Sequence, residues 1–113
     1  MDLTRKKCKP CEGGTKPFTR KESQKYLKFT QGWSLKGSII SKEIKFKDFG
    51  SAMKFINKAA CIAESEGHHP DIYLHDWNKV KFILSTHAIN GLSINDFILA
   101  SKINRIKNND TGS

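Results

Sequence analysis

Three of the four histidines in this 113-residue chain fall where secondary-structure elements should end, the places at which a rigid scaffold presents reactive side chains. His68 and His69 stand at the expected stop of a helix, in Glu64-Ser-Glu-Gly67-His68-His69-Pro70, and His87 stands at the expected stop of a strand, in Ser85-Thr86-His87. Imidazole titrates near neutrality, so these groups predict proton-transfer chemistry at physiological pH. Glu64 belongs with them. It falls in the last turn of its predicted helix, where a negative charge opposes the helix dipole by about 0.3–1 kcal/mol. Local rules tend to break at functional sites, so Glu64 is expected to orient a histidine or to bind substrate, whereas Glu66 beside it reads as a solvated glutamate. Three histidines could instead hold zinc. Adjacent side chains on an extended segment point apart, however, so His68 and His69 are poorly disposed to share one ion, and no metal is expected. A cysteine nucleophile is disfavoured too, because Cys61 falls on the polar face of its helix with no orienting partner in view.

The elements that must position these residues follow from punctuation and periodicity. Thr19-Arg-Lys-Glu22 is a capping box that predicts a helix to about Phe29. Gly32 to Leu35 reads as a short strand, Lys36-Gly37-Ser38 as a turn, and Ile39 to Phe46 as a half-buried strand that alternates Ile40, Ile44 and Phe46 with Ser41, Glu43 and Lys45. Asp48 is an N-cap, and Phe49 to Glu66 is helical in pattern. Its apolar residues form two neighbouring stripes: Phe49, Met53, Ile56, Ala60 and Ala63, then Ala52, Phe55, Ala59 and Ile62. That arc is wider than one sheet face covers, so the helix is expected to meet a second copy in a homodimer or homotetramer. Gly67 suits the left-handed position that ends a helix, and Pro70 keeps the helix from resuming. Asp71 to Trp77 and Lys79 to Thr86 follow as two strands, the second placing Lys81, Ile83, Ser85 and His87 on one face. Ser93-Ile-Asn-Asp96 opens a last helix to about Ile106. The order is α-β-β-α-β-β-α: an α+β domain with a four-stranded, mainly antiparallel sheet and helices on one face.

One domain is expected over residues 18–106, between a flexible N-terminal arm at 1–17 and a frayed tail at 107–113. No apolar run approaches the roughly 20 residues of a membrane span, and the basic N-terminus has no apolar core of a secretory signal. A cytoplasmic location is therefore expected. The net charge of +9 raises nucleic acid as a partner, but only Arg5, Arg20 and Arg105 are arginines and the lysines are scattered, so a lysine-rich solvated surface is favoured. Three cysteines make a disulfide framework improbable. Cys8-Lys-Pro-Cys11 has the spacing of half a zinc site, without a second half.

A Glu, a His-His-Pro four residues on, an aromatic, a strand-closing His and a later Asp together resemble the pterin-4a-carbinolamine dehydratases. Glu64, His68, His69, Pro70, Trp77, His87 and Asp96 fill that pattern, and the flanks Phe46-Lys-Asp-Phe49, Asn78-Lys-Val80, Leu84-Ser-Thr-His87 and Gly91-Leu-Ser-Ile-Asn-Asp96 fit as well, over roughly residues 17 to 106. The resemblance implies dehydration of a 4a-hydroxytetrahydropterin, released by aromatic amino-acid hydroxylases, to quinonoid dihydropterin in tetrahydrobiopterin recycling. It implies His68, His69 and His87 as active-site histidines, with His68 and His87 transferring protons and His69 mainly binding. It also implies substrate contacts from Glu64, Trp77 and Asp96, while Trp77 reads equally as core and Asp96 as a helix cap. The pterin is the substrate, and neither metal nor organic cofactor is implied. The Cys-x-x-Cys arm and one extra residue between Pro70 and Trp77 look like bacterial and lower-eukaryotic relatives. Animal relatives also serve as dimerisation cofactors of a homeodomain transcription factor, which makes a coactivator-type binding module in the nucleus the competing reading, with a hydroxylase or transcription factor as partner.

Overall fold

The structure, a computed structural model, describes residues 2–10 and 15–107. Its elements run α1 (Arg20–Leu27), β1 (Ser34–Lys36), β2 (Ile39–Lys45), α2 (Phe49–Glu66), β3 (Asp71–His75), β4 (Lys79–Leu84) and α3 (Ile94–Asn104), which is the expected α+β order. The strands pair antiparallel throughout, in the spatial order β1-β2-β4-β3. Alternation decides what each face does. Ile40, Val80, Phe82 and Leu84 are fully buried in one cluster with Ala52, Phe55 and Ala59 of α2 and Phe97, Ile98 and Leu99 of α3. Glu43 pairs across to Lys81, and Lys81 to Tyr73, on the opposite face, where all three are exposed. Among the described residues no helix is long and apolar enough to cross a membrane.

The helix ends lie where local chemistry puts them. Asp48 accepts a hydrogen bond from the Ser51 backbone N–H at 2.7 Å, and both Thr19 with Glu22 and Ser93 with Asp96 close complete capping boxes. Gly67 ends α2 at φ 65°, a left-handed conformation that a Cβ would strain.

Three expectations change. β1 begins at Ser34, because Gly32 turns at φ 84° and Trp33 leaves the sheet to bury its ring and donate its indole N–H to Asn104 Oδ1 at 3.0 Å. β3 stops at His75, two residues short of Trp77, because Asp76 and Trp77 both take positive φ (48° and 57°) in the hairpin turn. Residues 2–10 do not hang free as an arm: Leu3 and Cys8 are buried in the main core cluster, and Leu3–Arg5 forms a 3₁₀ turn against α3. Cys11 and the tail beyond residue 107 lie outside the described residues.

The Cys8 thiol donates to the Asn95 carbonyl at 3.5 Å, and burial, reinforced by the Glu66 carboxylate, pushes its pKa up to about 12. A metal-binding or nucleophilic cysteine needs the thiolate, which this environment opposes. Cys61 is exposed on α2. Brief treatment of the folded chain with iodoacetamide near pH 8 should therefore label Cys61 and spare Cys8, read by peptide mass spectrometry. The parent protein should carry no stoichiometric zinc after dialysis, and replacing Cys8 and Cys11 by Ser should leave the chain folded. One equivalent of zinc surviving dialysis would contradict this.

Candidate active site

The site begins where α2 ends. The left-handed Gly67 turns the chain, the His68 N–H still reaches back to the Ala63 carbonyl at 3.3 Å, and Pro70 delivers the chain into β3 at Asp71. His68 and His69 diverge on this extended exit, as alternating side chains must. The His68 side chain is only 12% exposed and donates Nε2–H to Asp96 Oδ1 at 2.6 Å. The His69 side chain faces outward and donates Nε2–H to Glu64 Oε1 at 2.7 Å, a pair five residues apart across the helix end.

Asp96 is fully buried, and its three hydrogen bonds explain how. Besides His68 on Oδ1, its Oδ2 accepts from the Thr86 hydroxyl at 2.8 Å and from the Ser93 N–H at 3.0 Å. With the Thr86 proton so committed, the Ser93 hydroxyl donates to Thr86 Oγ1 at 2.9 Å and accepts from the Asn95 N–H at 3.2 Å. One carboxylate thus ties down His68, the residue before His69, and Thr86, the residue before His87. Asp96 also caps its own helix, so capping and site-building are the same set of bonds.

His69 and His87 meet at one cavity of about 290 Å³, close to the lower end of small-molecule sites, lined also by Asp71, Ile83, Ser85 and Asn90. Ser38 of the β1–β2 turn and Ile39 at the start of β2 close its rim. β4 ends at Leu84 rather than Thr86, but the chain stays extended through Thr86, so Ile83, Ser85 and His87 still reach the cavity together, and His87 then opens a 3₁₀ turn to Ile89. Beyond that pair, an isolated bridge between Thr86 and Gly91 and the left-handed Asn90 (φ 53°) fold the chain back beside the cavity. His68 and Asp96 are not among the residues that line this cavity.

Trp77 is not brought to the cavity. It is 61% exposed in the β3–β4 turn, at the His75–Lys79 end of the hairpin, whereas the cavity adjoins the Asp71–Ile83 end. At ~3.3 Å per residue, the whole length of β3 separates them within one chain. Glu66 is also unlike its expectation: its side chain is 8% exposed and pairs with Lys102 at 2.8 Å. Burial opposes its ionisation, but the Lys102 ammonium and the Cys8 N–H outweigh that and hold its carboxyl below the usual range. The fourth histidine, His75, is anchored elsewhere on the open sheet face by Glu43, which raises its pKa, and by Asp76. Asp71, Ser85, Thr86 and Asn90 were not singled out from the sequence. The strand parity of Ile83, Ser85 and His87 was the signal that could have found Ser85. Among the described residues, no cluster of three His, Cys, Asp or Glu is disposed to hold a metal ion.

Residues 16–106 match the family model described as pterin 4 alpha carbinolamine dehydratase. The chain belongs to that family. A Nitrosomonas europaea protein provisionally named a pterin-4-alpha-carbinolamine dehydratase is 46% identical, over 93% of each chain. The mitochondrial pterin-4-alpha-carbinolamine dehydratase 2 of Arabidopsis thaliana is 42% identical over 96% of this chain and 61% of its own. Among solved structures, a transcriptional coactivator/pterin dehydratase from Brucella melitensis superposes with a TM-score of 0.73 at 34% identity, covering 78% of this chain and 95% of that one. Every candidate site residue of the dehydratase pattern, from Glu64 to Asp96, lies inside the matched region.

Proposed function

We propose that the chain dehydrates a 4a-hydroxytetrahydropterin to quinonoid dihydropterin and water, by acid–base catalysis from His69 and His87. The observation that carries this is the convergence of those two imidazoles on one cavity. The reaction needs two proton transfers. The C4a–O bond breaks as the hydroxyl accepts a proton and departs as water, and N5 loses its proton as the C4a–N5 double bond forms. One imidazole can give the first proton and the other can take the second, without a metal or organic cofactor. Glu64 holds the His69 ring in orientation, while Asp71, Ser85 and Asn90 offer polar contacts to a flat heterocycle. This revises the division of labour expected from the sequence: proton transfer moves to His69 and His87, and His68 becomes an anchor on Asp96. The test is a spectrophotometric assay with carbinolamine generated by a hydroxylase, read above the uncatalysed background. A rate equal to that background would end the proposal.

A binding-module reading draws support from a different observation, the apolar surface of α2. Phe55, Ala52, Ala59 and Ala63 face the core, but Phe49 is 53% and Met53 36% exposed on the neighbouring stripe. The homodimer or homotetramer expected through this helix would cover them, and a transcription-factor or hydroxylase partner is the other occupant. Met53→Glu should convert an oligomer into monomers in sedimentation velocity at micromolar concentration, because burying an unpaired charge is strongly unfavourable. The same substitution at Phe55 would instead unfold the chain, since Phe55 lies inside the core. A wild-type chain sedimenting as a monomer contradicts the assembly.

A further inference from the structure

We propose that residues 2–9 act as a strap that positions the cavity histidines, with Asn95 and Glu66 as its two positioning residues. The strap is anchored by Leu3, 2% exposed in the core. It then crosses the gap between the end of α2 and the start of α3. The Cys8 N–H donates to Glu66 Oε1 at 2.9 Å, and the Cys8 thiol donates to the Asn95 carbonyl. The next residue pairs in both directions with one side chain: the Lys9 N–H donates to Asn95 Oδ1 at 3.0 Å, and Asn95 Nδ2 donates back to the Lys9 carbonyl. Such a two-way amide-to-backbone pairing fixes the position of both partners, as a ladder pair does in a sheet.

The places where the strap lands give it its role. Asn95 directly precedes Asp96, the carboxylate that holds His68 and Thr86. Glu66 precedes His68 by two residues, across the left-handed Gly67, and is itself gripped by Lys102 of α3. The strap therefore couples the two ends whose separation sets the His68–Asp96 distance. Through His68 and Thr86 that distance fixes the approach of His69 to His87. Small displacements matter in such an arrangement, because a misplacement of about 1 Å can slow a positioned reaction by 10²-fold.

The kinetic half of this inference rests on the dehydratase reading, and the spectroscopic half does not. The experiment compares the wild-type chain, Asn95→Ala, a chain lacking residues 2–9, and Cys8→Ser. We expect kcat to fall roughly 10- to 100-fold in Asn95→Ala and in the shortened chain, with KM within about twofold. In both, the His68 Nε2–H resonance, protected by Asp96 in the wild type, should broaden into exchange with water. Cys8→Ser should keep both properties, because a serine hydroxyl can donate to the same carbonyl. Unchanged kcat together with an unchanged His68 Nε2–H resonance in folded Asn95→Ala would overturn the strap, as would a loss confined to KM. If the shortened chain fails to fold, Asn95→Ala decides alone. If the wild type proves inactive, the dehydratase reading falls and the His68 resonance still decides the strap.

Discussion

His87→Ala and His69→Ala should each lower the turnover of a 4a-carbinolamine by roughly 10²–10⁴-fold, the range for removing a positioned proton-transfer group. Neither substitution should unfold the chain. His87 is exposed at the cavity, and His69 is 60% exposed with Glu64 as its partner, so no core contact is lost. Steady-state kinetics with circular dichroism reads both. Glu64→Gln should have a smaller effect than either, because the amide still presents an oxygen to His69 Nε2–H and only the charge is gone. The same assay on His68→Ala separates the two divisions of labour. An anchor should lose stability and rate together, and stabilising co-solvents that restore the fold should recover part of the rate. A pure acid or base should stay folded and slow. Near-wild-type turnover in both folded His69 and His87 variants would leave the binding-module reading ahead.

Asp96→Ala should be the most destabilising single change in the site, by about 3 kcal/mol or more. It strips the acceptor from three buried or half-buried donors at once, and each donor left unsatisfied costs about 1–3 kcal/mol. The lower end is expected because water can enter beside His68. Asp96→Asn should cost less than Asp96→Ala but more than a surface change: its Oδ1 keeps one donor, while its NH₂ group confronts Thr86 and Ser93 with a second donor. Urea unfolding tests this by a lower midpoint at unchanged m-value. Trp77→Ala, in an exposed turn, should move the midpoint by no more than about 0.5 kcal/mol equivalent in one chain. An Asp96→Ala midpoint equal to wild type would remove the carboxylate from the centre of the site.

Local chemistry was readable from the sequence, and long-range pairing was not. The two capping boxes, the Asp48 cap, the Gly67 stop and the Pro70 block each involve residues within five positions of one another, and all the helix starts and the α2 end follow from them. Strand parity foretold that Ile83, Ser85 and His87 would share a face. The His68–Asp96 bond spans 28 positions, so the sequence offered proton transfer for His68, a substrate contact or a helix cap for Asp96, and no means of joining them. Glu66 looked solvated because its partners, Lys102 and the Cys8 N–H, come from opposite ends of the chain. Trp77 looked like a strand end because alternation continues to it; the positive φ at Asp76 and Trp77 has no glycine to announce it.

The reliance on Asp96 also orders events in time. The β3–β4 hairpin and α2 consist of local contacts and can form within microseconds, with His68 and His69 on the link between them and His87 just past the end of β4. The carboxylate that aligns those histidines arrives only with α3, and the strap that braces α3 closes over 87 positions between Cys8 and Asn95. Contacts that distant wait on loop closure and form slowly. A nascent or refolding chain would therefore pass through a stage in which every imidazole of the cavity is present and none is aligned, and any activity regained on refolding should emerge with the last docking event rather than with the sheet.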